Sequence, residues 1–196
     1  MNTKTEAVFA EEYRIVRTGA TVEEYLALEE EHHEKYEYHN GDIISMPGGT
    51  SDHSQCAAAL TALLFFSVQR QGNTLFTSDM RVNIPTFNRY VYPDLTIVRG
   101  GAEFADAKQT QLLNPTVIIE VLSQSTEHYD RSDKFEYYRS IPSLEEVAFF
   151  AQDRAYAELF RKNTSGRWEI IEIENGVVEF ASVQASISLA ELYTKK

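Results

Sequence analysis

The run Thr-Val-Ile-Ile-Glu-Val-Leu, residues 116–122, restricts the possible folds of this chain more than any other segment. It is short, apolar and rich in β-branched residues, which is typical of a strand buried on both faces of a sheet. Glu120 interrupts it, and the two-residue period of a strand places Glu120 on one face with Thr116, Ile118 and Leu122. An ionised carboxylate buried there costs several kcal/mol unless it is paired or bound to a cation. Two interpretations follow: an ion pair with an arginine at the exposed end of the strand, or a cation site.

The composition indicates one globular domain over residues 1–196, with residues 1–19 as a tail or a peripheral strand. The single cysteine, Cys56, excludes an intrachain disulfide and a cysteine-based zinc cage. No apolar run reaches the ~18 residues of a membrane span and no signal peptide is recognisable, so we expect a cytoplasmic protein. The 18 Lys and Arg against 30 Asp and Glu give a net charge of −12. This charge argues against a general nucleic-acid coat, but not against an enzyme with a locally basic groove.

The sequence predicts four helices, and capping signals mark several of their ends. Thr21 and Glu24 have the spacing of a capping box. Ser51 or Asp52 can cap the long second helix, and Gly72 stands just after its end. The apolar residues of this second helix lie nearly all round, so we expect burial on all sides. The helices are predicted at about residues 21–33, 52–71 and 126–140, with a last short one beginning near residue 188.

Strands are predicted between these helices, and Asn40-Gly41 is a strong signal for a tight hairpin. Pro93 places one strand at a sheet edge or at a bulge. The alternation of strands with two substantial helices predicts the α/β class, with a restriction-endonuclease-like central mixed β-sheet flanked by helices and a C-terminal β-meander. The strands are expected at about residues 74–84, 89–98, 116–122, 145–151, 155–162 and 167–174.

Two further polar groups accompany Glu120 in the sequence. Asp94 follows a proline and precedes an apolar stretch, where a bulge can re-aim its side chain, although a local turn would explain it equally well. In the helix predicted after Glu120, Asp130, Lys134 and Tyr138 are spaced four residues apart and share one face. Taken alone, Asp130 and Lys134 would form an ordinary surface ion pair.

Two carboxylates on neighbouring strands and a lysine together suit metal-assisted phosphodiester hydrolysis. Asp94 and Glu120 offer hard oxygen ligands to Mg²⁺, or to Mn²⁺ in its place, and we expect the backbone carbonyl of Val121 as a third ligand. Such an ion polarises the phosphate and lowers the pKa of its bound water, while Lys134 orients that water or neutralises developing charge. Without the ion the two acids are expected to repel, so that Glu120→Gln should not destabilise the protein.

These residues resemble the PD-(D/E)XK nuclease motif, and more closely the Uma-two family of predicted restriction endonucleases. The resemblance implies that Asp94 and Glu120 are metal ligands and that Glu37 is an accessory acid. Leu122 stands where the superfamily has its lysine; in the resembling family the lysine lies on the following helix, which Lys134 fits. The resemblance covers about residues 20–193, in the stretches 36–42, 92–94, 120–126, 130–138, 141–146 and 188–193, with His53.

We therefore expect a divalent-metal-dependent endonuclease that acts on double-stranded DNA. A homodimer is expected because duplex cleavage needs two active sites or two visits. The main alternative is a catalytically idle interaction module that keeps the nuclease fold, which the net charge of −12 favours. A hydrolase of small phosphoesters is a further alternative and would need a closed pocket. A basic rim is expected from the arginines that flank the site in sequence, namely Arg81, Arg89, Arg99, Arg131 and Arg139.

Overall fold

The computed structural model describes residues 14–46, 48–122 and 134–194. The described helices are α1 (Val22–His32), α2 (Ser51–Arg70), α3 (Phe135–Tyr138) and α4 (Leu189–Leu192). The capping box at the start of α1 is confirmed, since the Thr21 hydroxyl accepts from the Glu24 N–H and the Glu24 carboxylate accepts from the Thr21 N–H. The predicted cap of α2 is wrong by one or two residues, because the hydroxyl of Thr50 accepts the His53 N–H. Most of the helix predicted at 126–140 lies outside the described residues.

Helix α2 buries one face rather than all of its surface. Its buried residues, Cys56, Leu60, Leu64 and Val68, follow one another at intervals of four. Phe66 on another side is 66% exposed. The expectation of burial on all sides is therefore wrong, because the described elements pack against one side of the helix only.

The described strands divide between two six-stranded mixed sheets and one hairpin. Sheet A has the order β1-β3-β2-β6-β5-β8, sheet B has the order β12-β11-β10-β9-β7-β4, and β13 pairs with β14. The strands are β1 (Ile15–Arg17), β2 (Tyr36–His39), β3 (Asp42–Ser45), β4 (Thr74–Thr77), β5 (Arg81–Ile84), β6 (Arg89–Val91), β7 (Leu95–Val98), β8 (Gln111–Leu112), β9 (Val117–Leu122), β10 (Glu146–Ala151), β11 (Tyr156–Lys162), β12 (Trp168–Glu174), β13 (Val177–Phe180) and β14 (Ala185–Ser188).

The α/β class and the C-terminal meander are confirmed, and so is the hairpin at Asn40-Gly41, which joins β2 to β3 with positive φ at both residues. Strand β9 pairs in parallel with β10, and β10, β11 and β12 then pair antiparallel in succession. Two predicted strands are each two strands in the structure. The segment 74–84 gives β4 in sheet B and β5 in sheet A, and the segment 89–98 gives β6 in sheet A and β7 in sheet B.

Three apolar clusters set the order of the layers. The first lies between α2 and one face of sheet B, where Leu60 meets Ile97 and Ile119. The second lies between the two sheets and contains Ile118 of sheet B with Val91 of sheet A. The third joins the outer face of sheet A to α1. Because alternate residues of β9 point to opposite faces, Glu120 shares its face with Ile118 and projects into the layer between the sheets.

No helix within the described ranges combines the length and the hydropathy needed to cross a membrane.

Candidate active site

The site lies where β7 and β9 stop pairing. The last ladder pair between them is Leu95 with Ile119. Beyond this pair, a backbone N–H on each side is bound by an acid from the other side. The Asp94 N–H donates to Glu120 Oε2 at 3.3 Å, and the Val121 N–H donates to Asp94 Oδ2 at 2.8 Å. The two predicted carboxylates are thus held next to each other by reciprocal bonds in place of the sheet ladder.

The buried charge of Glu120 is matched by a lysine rather than by an arginine. Glu120 is 4% exposed, and Lys134 Nζ, itself on a residue 7% exposed, lies 3.3 Å from Glu120 Oε1. The Tyr138 hydroxyl donates to the same oxygen at 2.5 Å. The predicted sharing of one face by Lys134 and Tyr138 is therefore confirmed, while Asp130 lies outside the described residues.

Tyr138 acts as a fixed hydrogen-bond donor in this site. Burial, followed by the negative charge of Glu120, raises the pKa of Tyr138 well above its usual value. The hydroxyl therefore keeps its proton near neutral pH and donates a hydrogen bond to the Glu120 carboxylate.

His53 joins the site, although the sequence marked it only as part of the resemblance. Its Nε2 lies 3.2 Å from Asp94 Oδ2, and the residue stands in the first turn of α2. The hydrogen bond to Asp94, with the negative charges of Asp94 and Glu120, raises the pKa of His53 against the opposing effects of burial and of Lys134. Apart from the resemblance, no local pattern pointed to His53, because the contact between α2 and the Asp94 carboxylate is tertiary.

Glu37 faces the same layer from sheet A. It is buried, and its Oε2 lies 2.9 Å from Nε2 of His39, two residues along β2 and on the same face. Burial alone would raise the pKa of Glu37, but the His39 hydrogen bond, the charges of Lys134 and His39 and a backbone hydrogen bond from Tyr92 together lower it. The influence of Lys134 indicates that Glu37 is near the Glu120–Lys134 pair, as the resemblance implied. The i, i+2 spacing was the signal that could have found His39.

Most of the expected basic rim is neutralised by acids. Arg81 is half-buried and pairs with Glu29, which also accepts from the Tyr92 hydroxyl, so Arg81 does not form part of an exposed rim. Arg99 pairs with Glu145 and Arg139 with Glu136, both at exposed positions. Arg131 lies outside the described residues. Arg89, which behaves differently, stacks on a tyrosine ring.

The donors at the strand divergence fit a hard divalent cation. Two carboxylates are adjacent there. The backbone carbonyl of Leu122 is directed to the other side of β9, since it accepts from the Gln152 N–H on the β10 side. Since successive residues of a strand present their backbone groups to alternate sides, the Val121 N–H and carbonyl both face Asp94. Among the described residues, no group of three or more His, Cys, Asp or Glu side chains is placed to hold a metal. The donor set therefore has two carboxylates and one carbonyl, all oxygen, which suits Mg²⁺ or Mn²⁺.

Comparison with solved structures finds the same fold in another protein. The chain superimposes with a TM-score of 0.68 on a structure titled "a putative nuclease belonging to DUF820" from Anabaena variabilis, with 16% identity, over 89% of this chain and 98% of that one. At this level of identity the likeness establishes the fold. Residues 22–190 match the profile of the Uma2 family, described as "Putative restriction endonuclease", and the chain belongs to this family. The family resemblance drawn from the sequence is thereby confirmed.

Two relatives from Synechocystis sp. align along most of their length. The uncharacterized protein sll1609 is 34% identical over 163 residues, which is 82% of this chain and 92% of the relative. The uncharacterized protein slr1290 is 32% identical over 173 residues, 87% of this chain and 90% of the relative. The similarity thus extends over nearly the whole of both relatives.

Proposed function

We propose that this member of the Uma2 family is a divalent-metal-dependent endonuclease that hydrolyses phosphodiester bonds of double-stranded DNA. The observation that carries the proposal is the reciprocal bonding of Asp94 and Glu120 at the strand divergence, with Lys134 on the second carboxylate. A purely structural ion pair needs one acid and one base. A second acid brought to the same point, partly exposed and with no described partner for its Oδ1 atom, is what a cation site requires.

Asp94, Glu120 and the Val121 carbonyl would hold Mg²⁺, for which Mn²⁺ can substitute. When bound, the ion supplies polarisation of the phosphate and a water of lowered pKa.

The protein's own groups fix and charge the site. Tyr138 and the Asp94 N–H hold the two oxygens of Glu120 in place, while His53 and the Val121 N–H hold Asp94. Lys134 places a buried positive charge beside these acids, where it neutralises negative charge that develops on the phosphate. Glu37, coupled to Lys134 by charge, serves as the accessory acid that keeps this lysine protonated.

A homodimer acting in the cytoplasm completes the proposal. Two copies related by a twofold axis would present one site to each strand of a duplex.

Cleavage of supercoiled plasmid in Mn²⁺ tests the proposal. Asp94→Asn and Glu120→Gln should abolish cleavage, and Lys134→Ala should lower its rate by about two orders of magnitude. Asp79→Asn and Lys108→Ala, which change exposed residues of the same types, serve as controls and should cut as the unmodified protein does. Calorimetric titration with Mn²⁺ should show binding that is lost with Asp94→Asn and kept with Lys134→Ala.

The idle interaction module predicts the opposite pattern. Metal affinity that does not depend on Asp94, together with no cleavage of plasmid or linear duplex by the unmodified protein, would favour that alternative. Hydrolysis of small phosphate diesters without cleavage of DNA would favour the small-phosphoester enzyme.

A further inference from the structure

Arg89 of β6 has hydrogen-bond donors that the described part of the chain leaves unpaired. Its guanidinium carbon lies 3.6 Å from the centre of the Tyr137 ring, within the range of a stacked cation–π contact. Two of its nitrogens, Nε and Nη1, are buried and have no hydrogen-bond partner among the described residues. A buried donor on a charged group is costly when it is left unpaired, so an acceptor that reaches these nitrogens would remove that cost.

The position of Arg89 ties it to the proposed active site. Arg89 pairs in register with His39, the partner of Glu37. Its neighbour Tyr90 points to the outer core of sheet A, so Arg89 points into the layer between the sheets. Tyr137, on which it stacks, is in α3 beside Tyr138, the donor to Glu120. Arg89 thus lines the side of the site formed by sheet A, opposite the acids of sheet B.

Charge makes this arginine distinctive. Of the four described arginines expected at the rim, Arg81, Arg99 and Arg139 are paired with glutamates, whereas Arg89 has no acidic partner among the described residues. In a chain with net charge −12, a cation that no described acid neutralises, beside a site for an anionic substrate, contributes a local attraction that the three paired arginines do not.

We propose that Arg89 binds a non-bridging oxygen of a backbone phosphate of the nucleic acid, with Tyr137 holding the guanidinium plane flat for that contact. Guanidinium N–H groups match the oxygens of a phosphate in both charge and geometry. The contact is to the backbone and so does not read sequence. This inference rests on the proposed nuclease function and names one residue that holds its substrate.

Binding of a fluorescein-labelled 20-base-pair duplex, followed by anisotropy in EDTA at several salt concentrations, tests the inference. Arg89→Met should weaken binding about tenfold and reduce the slope of log K against log salt by about 1, the loss of one phosphate contact. Arg89→Lys should keep the slope and lose part of the affinity, because it keeps the charge without the planar donors. Arg167→Met, which removes an exposed charge in the turn between β11 and β12, is the control and should leave affinity and slope unchanged.

Urea unfolding separates this role from a structural one. Arg89→Met removes two unpaired buried donors and keeps an apolar stem over Tyr137, so the variant should be as stable as the unmodified protein. A clear loss of stability together with an unchanged salt slope would mean that Arg89 only supports the fold. If Arg89→Met fails to fold, the same slope measured with Arg89→Lys and Arg89→Gln decides.

The two proposals can fail separately. Unchanged duplex affinity in Arg89→Met, while Asp94→Asn still abolishes cleavage, overturns the role of Arg89 and leaves the nuclease intact. Absence of both binding and cleavage in the unmodified protein overturns both. An Arg89-dependent thermal shift with inorganic phosphate but no duplex binding would assign the residue to a small phosphate and overturn the backbone contact.

Discussion

The pairing of Glu120 with Lys134 reverses one expectation about stability. Repulsion between Asp94 and Glu120 suggested that Glu120→Gln would be harmless in the metal-free protein. Glu120 instead balances Lys134, which is buried beside it. Removing the carboxylate's charge deprives the buried ammonium of this counter-ion, and breaking such a pair typically costs about 3–5 kcal/mol.

The surroundings of the pair reduce this cost. The glutamine carbonyl oxygen still accepts from the Tyr138 hydroxyl, and Glu37 remains as a second negative charge near Lys134, although the glutamine NH2 can no longer accept from the Asp94 N–H. The substitution also removes the repulsion between Glu120 and Asp94, which offsets a further part of the loss in unfolding free energy. We therefore expect Glu120→Gln to lower the unfolding free energy by about 2–3 kcal/mol, below the full range for a buried pair.

A double-mutant cycle measured by urea unfolding in EDTA checks this reasoning. Lys134→Met should also destabilise, while the double variant should lose less than the sum of the two by at least about 1.5 kcal/mol, because the second change removes a charge that has already lost its partner Glu120 or Lys134. The exposed pair Glu136 and Arg139, 3.9 Å apart on α3, is the matched control, with an expected coupling below about 0.5 kcal/mol. Losses that add to within about 0.5 kcal/mol at Glu120 and Lys134 would show that the two charges do not stabilise each other, and the expected cost of Glu120→Gln would then lose its physical basis.

Three other results are expected. Thr21→Ala should lower stability by about 1 kcal/mol through loss of the α1 capping box, with Thr21→Ser close to unchanged, as measured by thermal unfolding. Glu146 accepts hydrogen bonds from Arg161, from a serine hydroxyl and from two backbone N–H groups, so Glu146→Gln should cost about 2–3 kcal/mol in urea, and a loss below about 0.5 kcal/mol would contradict this. Because the pKa of Glu37 is lower in the folded protein than its ordinary value of 4.5, ionised Glu37 stabilises the fold at pH values above 4.5. This stabilisation is lost as the pH falls through the lower pKa of the folded state. The stability difference from Glu37→Gln should thus be constant above about pH 5 and shrink below it, and a difference that does not change between pH 6 and 3 would contradict the pKa direction.

Local signals predicted the local structure well. The capping box at Thr21 and the Asn40-Gly41 turn act within four residues, so no tertiary contact was needed to place α1 or the first hairpin. The predicted strands at 74–84 and 89–98, which are each two strands in the structure, have weaker local signals at the points where they divide. The turn between β4 and β5 contains Ser78 and Asp79 without glycine or proline, and the break at Pro93 was expected to bend one strand rather than to send it to another sheet.

The candidate site was predictable only where its residues share an element or a neighbouring strand. Strand alternation placed Glu120, and helical spacing placed Lys134 with Tyr138, because both patterns follow from backbone geometry. His53 and Arg89 approach the site from other layers, and the distance between layers is fixed by side-chain packing that no short pattern encodes. Their roles required the three-dimensional structure.

The parallel pairing of β9 with β10 forces the chain to leave the end of one strand and to return across the sheet before the next begins. That return path delivers Lys134 and Tyr138 to Glu120, so the number of residues separating acid from lysine is set by the length of the path and not by the chemistry. Leu122, two residues beyond Glu120 on the same face, is thereby free to fill the apolar layer. In proteins with this topology, the residue equivalent to Lys134 is accordingly better identified by its contact with the acid equivalent to Glu120 than by its distance from that acid in the sequence.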